Sequence, residues 1–232
     1  MLRLEAVRIV QDDFALTADF TLPPAAVTAV LGPSGAGKST LLGAIAGFVA
    51  PAAGRILWEG RDLTPLPPGA RPVSILFQDN NLFPHLDIAR NVALAITPAA
   101  RPGPDVTDRV HAALAQLGLQ GMEGRRPGAL SGGQQSRAAL ARVLVAGRPV
   151  VLLDEPFAAL GPALRAELLD LTRAQLLAAG CSVLMVTHDP ADAARIADHA
   201  IVVAEGKVSP PAPTSALLAD PPPALRAYLG QP

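Results

Sequence analysis

The chain alternates short, largely apolar runs with longer segments that are apolar along a single stripe. The runs are VTAVL (Val27–Leu31), VSILF (Val73–Phe77), VVLL (Val150–Leu153), CSVLMVT (Cys181–Thr187) and AIVVA (Ala200–Ala204). Four to seven apolar residues without polar alternation read as strands buried on both faces. Between several of them the spacing becomes helical: Val106, Val110, Leu114 and Leu117 fall on one face, as do Leu164, Leu168 and Leu171 within residues 163–179. Buried strands alternating with amphipathic helices predict an α/β fold with a mostly parallel core sheet. The first 22 residues depart from that rhythm. LRLEAVRIV and FALTADFTL flank Asp12 and Asp13 and predict an antiparallel strand pair.

From about residue 88 to 147 the pattern is helix and loop without a buried strand, which predicts a helical lobe inserted between two core strands. The expected organisation is one domain over residues 1–232: a core lobe over about 1–87 and 148–208, a helical lobe over about 88–147, and a tail from about 209. That tail is proline-rich with one short helical patch and is expected to pack loosely.

Bulk chemistry narrows the function classes. The 19 Lys and Arg against 20 Asp and Glu give a net charge of −1, without the basic excess of a general nucleic-acid binder. A single cysteine, Cys181, excludes an intrachain disulfide framework and a zinc cluster, and suits a reducing compartment. The N-terminal residues lack the apolar core of a signal peptide, and nowhere do about 20 apolar residues run uninterrupted. A soluble intracellular protein is therefore expected, with any membrane role exercised through a partner. Cys181 and Trp58 read as core residues, and His111 and His199 as solvated helix positions.

The strongest chemical signal is GPSGAGKST, directly after the strand VTAVL and before the helical run LLGAIAG. Gly32, Pro33, Ser34, Gly35, Ala36, Gly37, Lys38, Ser39 and Thr40 match the phosphate-loop pattern. Its glycines let successive backbone N–H groups cradle a polyphosphate, and the following helix adds its positive end. Lys38 supplies a compact charge near the outer phosphates, and the Ser39 hydroxyl is a ligand for Mg²⁺. VVLLDE supplies the complementary pieces: Asp154 at a strand end to hold the metal, and Glu155 as a general base for an attacking water. Gln78 and His188 each follow a buried strand closely and are expected on the same sheet edge, Gln78 within reach of the metal or water and His188 of the γ-phosphate. In LSGGQ, Ser131 and Gln134 form a capping box, and Gly132 and Gly133 open a helix N-terminus to an anion. One chain cannot easily aim two such sites at one phosphate, whereas two chains packed head-to-tail can.

With these motifs in this order, the chain resembles the ATP-binding subunits of ABC transporters. GPSGAGKST is similar to their Walker A, Gln78 to their Q-loop, LSGGQ to their signature, VVLLDE to their Walker B and His188 to their switch histidine. The resemblance implies a P-loop ABC-type nucleotide-binding domain that binds ATP and Mg²⁺ in a head-to-tail dimer. Each ATP would lie between one chain's Walker A and the other's signature, and hydrolysis would drive transmembrane permease subunits. Within the family, RPVSILFQDNNLFPHL (Arg71–Leu86) resembles the thiamine-importer subunits of Gram-negative bacteria. That implies a peripheral protein on the cytoplasmic face of the inner membrane, serving uptake of thiamine, with its phosphates as further cargo, fed by a periplasmic substrate-binding protein. Phe83 and His85 would then lie exposed near the permease. The alternatives are the same role for iron or a polyamine, a soluble ABC ATPase outside transport, and a non-hydrolysing nucleotide-binding module. Two positions depart from the family pattern: Gln11 stands where an adenine-stacking aromatic is usual, with Phe14 nearest, and AALG ends in Gly161 where an aspartate is common.

Overall fold

The computed structural model describes residues 1–228. It opens with β1 (Leu2–Gln11) and β2 (Phe14–Thr21), paired antiparallel around the Asp12–Asp13 turn, and continues into β3 (Val27–Leu31). Helix α1 (Lys38–Ala46) follows, then β4 (Ala53–Trp58), β5 (Arg61–Asp62) and β6 (Val73–Leu76). Three helices fill the stretch between β6 and the next strand: α2 (Ile88–Ala93), α3 (Pro104–Gln116) and α4 (Gly132–Ala146). The core resumes with β7 (Val150–Asp154), α5 (Pro162–Ala178), β8 (Ser182–Val186), α6 (Pro190–Ile196) and β9 (His199–Ala204). The end is built from β10 (Lys207–Val208), β11 (Ala212–Pro213), α7 (Thr214–Ala219) and α8 (Pro223–Tyr228).

The strands lie in the order β5-β4-β1-β2-β10-β9-β3-β8-β7-β6, with β11 on β9. The pairs β9/β3, β3/β8, β8/β7 and β7/β6 are parallel, and β1 pairs antiparallel with both β2 and β4. The architecture is thus the expected one, a parallel core sheet with an antiparallel N-terminal part. Period-two alternation explains why the runs are apolar throughout. Val151, Leu153, Val183 and Met185 face a core shared with α2, α4 and α5, while Leu152, Leu184 and Val186 face another shared with α1 and the N-terminal strands. All five parallel strands therefore end on one edge, and the polar residues that follow them collect there.

Two expectations are corrected. The tail packs closely as far as it is described: Thr214 and Leu225 are buried, and Leu225 joins Leu31 and Ala193 in a third core cluster. The prolines fit because Pro223 opens α8, where a missing N–H removes no intrahelical bond. His199 is the first residue of β9 rather than a helix position, and its Nδ1 is buried without a partner. The strand runs also end earlier than their apolar limits, β6 at Leu76 and β8 at Val186. Cys181 is buried beside β8, as a core residue should be, and His111 is exposed on α3. Among the described residues no helix is long and apolar enough to cross a membrane.

Candidate functional site

The loop from Gly32 to Gly37 joins the end of β3 to α1, whose first residues are Lys38, Ser39 and Thr40. Gly37 caps that helix at φ 99°, and a Cβ on it would lie 2.3 Å from Phe14 Cζ. A side chain is therefore doubly disfavoured there, by backbone conformation and by the ring beneath the loop. Lys38 folds back over the loop: its Nζ donates to the carbonyls of Gly32 and Pro33, each at 2.8 Å. Burial pulls its pKa down, and the nearby carboxylates of Glu155 and Asp154 oppose that pull.

β7 lies two strands from β3 and delivers Asp154 beside the first turn of α1. The Ser39 hydroxyl donates to Asp154 Oδ1 at 3.2 Å. Burial pushes the Asp154 pKa up, the Ser39 hydrogen bond pulls it back, Glu155 raises it and Lys38 lowers it. Immediately beyond the strand, Glu155 adopts φ 45° and Phe157 φ 68°, a left-handed turn that non-glycine residues hold only when the surroundings fix them. Here the Glu155 N–H donates to the Val186 carbonyl at 3.1 Å, and Phe157 is buried. The turn presents the Glu155 carboxylate toward β8, where His188 Nδ1 stands 3.0 Å from its Oε2.

A cavity of about 490 Å³ opens over this edge, lined by Gln11, Asp12, Phe14, Ser34, Gly35, Gly37, Lys38, Ser39, Thr40 and Glu155. Gln11 and Phe14 both line this cavity. The structure brings Lys38, Ser39, Asp154, Glu155 and His188 to one place. Gln78 is exposed in the turn two residues beyond the end of β6, the strand that neighbours β7.

Ser131 and Gln134 are engaged with each other. The Gln134 N–H donates to Ser131 Oγ at 3.3 Å, and the Ser131 N–H to Gln134 Oε1 at 3.0 Å, closing the predicted capping box at the start of α4. Gly133 has a packing role that sequence reasoning missed: a Cβ there would lie 2.8 Å from Leu164 Cδ2 on α5. Arg71 was missed as well. It is buried beneath α1, where Nη1 donates to the Ala44 and Ile45 carbonyls at 2.7 and 2.9 Å, and it closes the helix that carries Lys38. Nothing in the local pattern around Arg71 signals that position.

The model of the family described as ABC transporter matches residues 16–158. The thiamine import ATP-binding protein ThiQ of Cereibacter sphaeroides is 60% identical over 230 residues, 99% of this chain and 100% of that one. ThiQ of a Ruegeria species is 58% identical over the same shares. Among solved structures, the ATP-binding cassette MJ0796, in a dimeric post-hydrolysis state bound to ADP and Pi, aligns at a TM-score of 0.78. It is 26% identical, over 92% of this chain and 99% of that one. The chain belongs to the ABC transporter family and has its P-loop ATP-binding fold.

Proposed function

We propose that this chain is the ATP-hydrolysing subunit of a thiamine importer. The observation that carries the enzymatic part is the 3.0 Å contact of Glu155 with His188, on the edge where Ser39 meets Asp154 and Lys38 folds over its loop. The backbone from Gly32 to Thr40 and Lys38 bind the phosphates of ATP. Glu155 accepts a proton from the attacking water, and His188 orients Glu155 and meets the γ-phosphate. Ser39 and Asp154 offer a hydroxyl and a carboxylate 3.2 Å apart, a hard-oxygen pair suited to Mg²⁺, with Gln78 as a further oxygen donor. Bound there, the ion would supply positive charge to offset that of the phosphates.

Ser131, Gly132, Gly133 and Gln134 of a second copy complete each site in a head-to-tail dimer. The transmembrane permease subunits couple that closure to transport at the cytoplasmic face of the inner membrane, and a periplasmic binding protein supplies cargo to them. Thiamine itself is supported by the names of relatives 58–60% identical across the chain, and by no residue of the site. The test of the enzymatic part is Glu155→Gln with saturating ATP: an ATP-bound dimer should accumulate while turnover disappears. A variant that stays monomeric, or that turns over ATP at the wild-type rate, would refute the assignment of the base.

A further inference from the structure

His188 lies in the link between β8 and α6, and its side chain is half exposed. The tight contact with Glu155 therefore needs an anchor from elsewhere, and its two neighbours supply one. Thr187 is buried; its hydroxyl donates to Asp192 Oδ2 at 3.1 Å and accepts the Asp189 N–H at 3.1 Å. Asp192 is paired with Arg165, whose Nη1 also stands 3.9 Å from Asp189 Oδ2. The Arg165 and Asp192 side chains are only 14% and 10% exposed. On the other side, the Tyr228 hydroxyl donates to the His188 carbonyl.

So enclosed an ion pair is a poor stabiliser, because desolvating two charges offsets their attraction, and Arg165 Nε is left buried without a partner. Its geometry nevertheless fixes both residues flanking His188. Arg165 sits in the first turn of α5, its N–H donating to the Gly161 carbonyl at 2.9 Å. The loop that follows Glu155 is thereby tied through α5 to the loop that carries His188.

We infer that Arg165 is a positioning residue for His188: through Asp192 and Asp189 it sets the Glu155–His188 contact and passes movement of residues 158–161 to it. The inference rests on the ATPase reading of Glu155 and His188. Gly161 has no side chain to reach a partner chain, so this tie within the chain is a route by which loop position can reach the catalytic edge.

The test uses full-length protein labelled with ¹⁵N-histidine, in three variants: Arg165→Met, Arg165→Met with Asp192→Asn, and Arg165→Lys. The double variant removes both charges and leaves no buried carboxylate unpaired. Misplacing His188 should lower kcat about 10- to 100-fold in the first two while KM for ATP stays within about threefold. The His188 ring signals should shift or broaden, and Arg165→Lys should regain part of kcat and of the wild-type signals. A folded double variant with kcat within about twofold of wild type overturns the inference. So does a kcat loss that follows only a fall in Tm, with unchanged His188 signals. Wild-type protein that fails to hydrolyse ATP would count against the ATPase reading instead, and the ring signals would still decide the role of Arg165.

Discussion

Replacing Arg71 with Met tests how α1 is held. Arg71 is 2% exposed, and its guanidinium makes four hydrogen bonds to backbone carbonyls: Ala44 at 2.7 Å, Ile45 at 2.9 Å, Leu66 at 2.9 Å and Thr64 at 3.1 Å. Two of these acceptors are last-turn carbonyls of α1, at the end where a positive charge also suits the helix dipole. Met keeps the volume and leaves the four carbonyls without that partner. Hydrogen bonds to a charged donor contribute about 1.5–3 kcal/mol each, but they do not add, and removing a buried cation recovers its desolvation. Buried acceptors left unpartnered cost about 1–3 kcal/mol each, so after the recovered desolvation the net loss should be about 3–5 kcal/mol. For a chain of this size that lowers Tm by about 6–20 °C. Thermal unfolding by circular dichroism measures it, with urea midpoints as a check. Arg71→Lys should regain only part, because one ammonium cannot span four carbonyls on two separate segments, the end of α1 and residues 64–66. A Tm within about 2 °C of wild type in Arg71→Met would refute the reasoning.

Further expectations follow from single contacts. Gly37→Ala forces a side chain into φ 99° and against Phe14; at about 1–2 kcal/mol it should weaken binding of a fluorescent ATP analogue by about tenfold or more, and unchanged affinity would refute it. Gly161 caps α5 without a side-chain acceptor and has no atom within 4 Å of a built Cβ. Gly161→Asp should therefore be tolerated and gain a few tenths of a kcal/mol, a Tm rise of about 1 °C by calorimetry. Asp198 accepts from Arg173 at 2.6 Å and from the Val27 N–H at 2.9 Å, and the Arg173 hydrogen bond chiefly holds its carboxyl below the usual 3.8. A depressed carboxylate pKa stabilises above the unfolded value and loses that stabilisation as pH falls through the folded one. Asp198→Asn should thus lower the urea-derived stability by about 1–2 kcal/mol at neutral pH, with the deficit shrinking below about pH 4. An equal deficit at both pH values would contradict the account.

Four of the five parallel strands were legible because they are buried on both faces and so read as apolar runs, and β6, partly exposed at the sheet edge, still carries Val73, Ile75 and Leu76. Strand β4 was not: its first three residues are exposed and include Arg55, so no run marks it. The tail misled for a related reason. Pro210, Pro211 and Pro213, with prolines 221–223, suggest irregular chain, yet they flank short helices whose few apolar residues, Leu225 above all, find a core provided by distant strands. At the site, the phosphate loop and the Asp154–Glu155 pair could be read locally, since strand, turn and helix lie consecutively in the chain. The supports could not. Arg71 reaches carbonyls 26 and 27 residues away, Arg165 meets Asp192 across 27 residues, and Tyr228 meets His188 across 40. Such contacts depend on which elements the fold brings together, and no spacing along the chain encodes them. Gly133 is intermediate: its place in the LSGGQ stretch was visible, whereas its closeness to Leu164 required α5 to be packed against α4.

The central claim is that Glu155 turns ATP binding into hydrolysis that drives thiamine uptake. The most direct measurement is uptake of labelled thiamine by vesicles containing the permease with this chain, with ATP on the side of this chain and the periplasmic binding protein and thiamine on the other, comparing wild type with Glu155→Gln. The account predicts ATP-dependent accumulation with wild type, and hydrolysis and uptake both reduced by about 10²–10⁴-fold in the variant. Uptake that proceeds equally with Glu155→Gln, or hydrolysis by wild type without any thiamine movement, would contradict it.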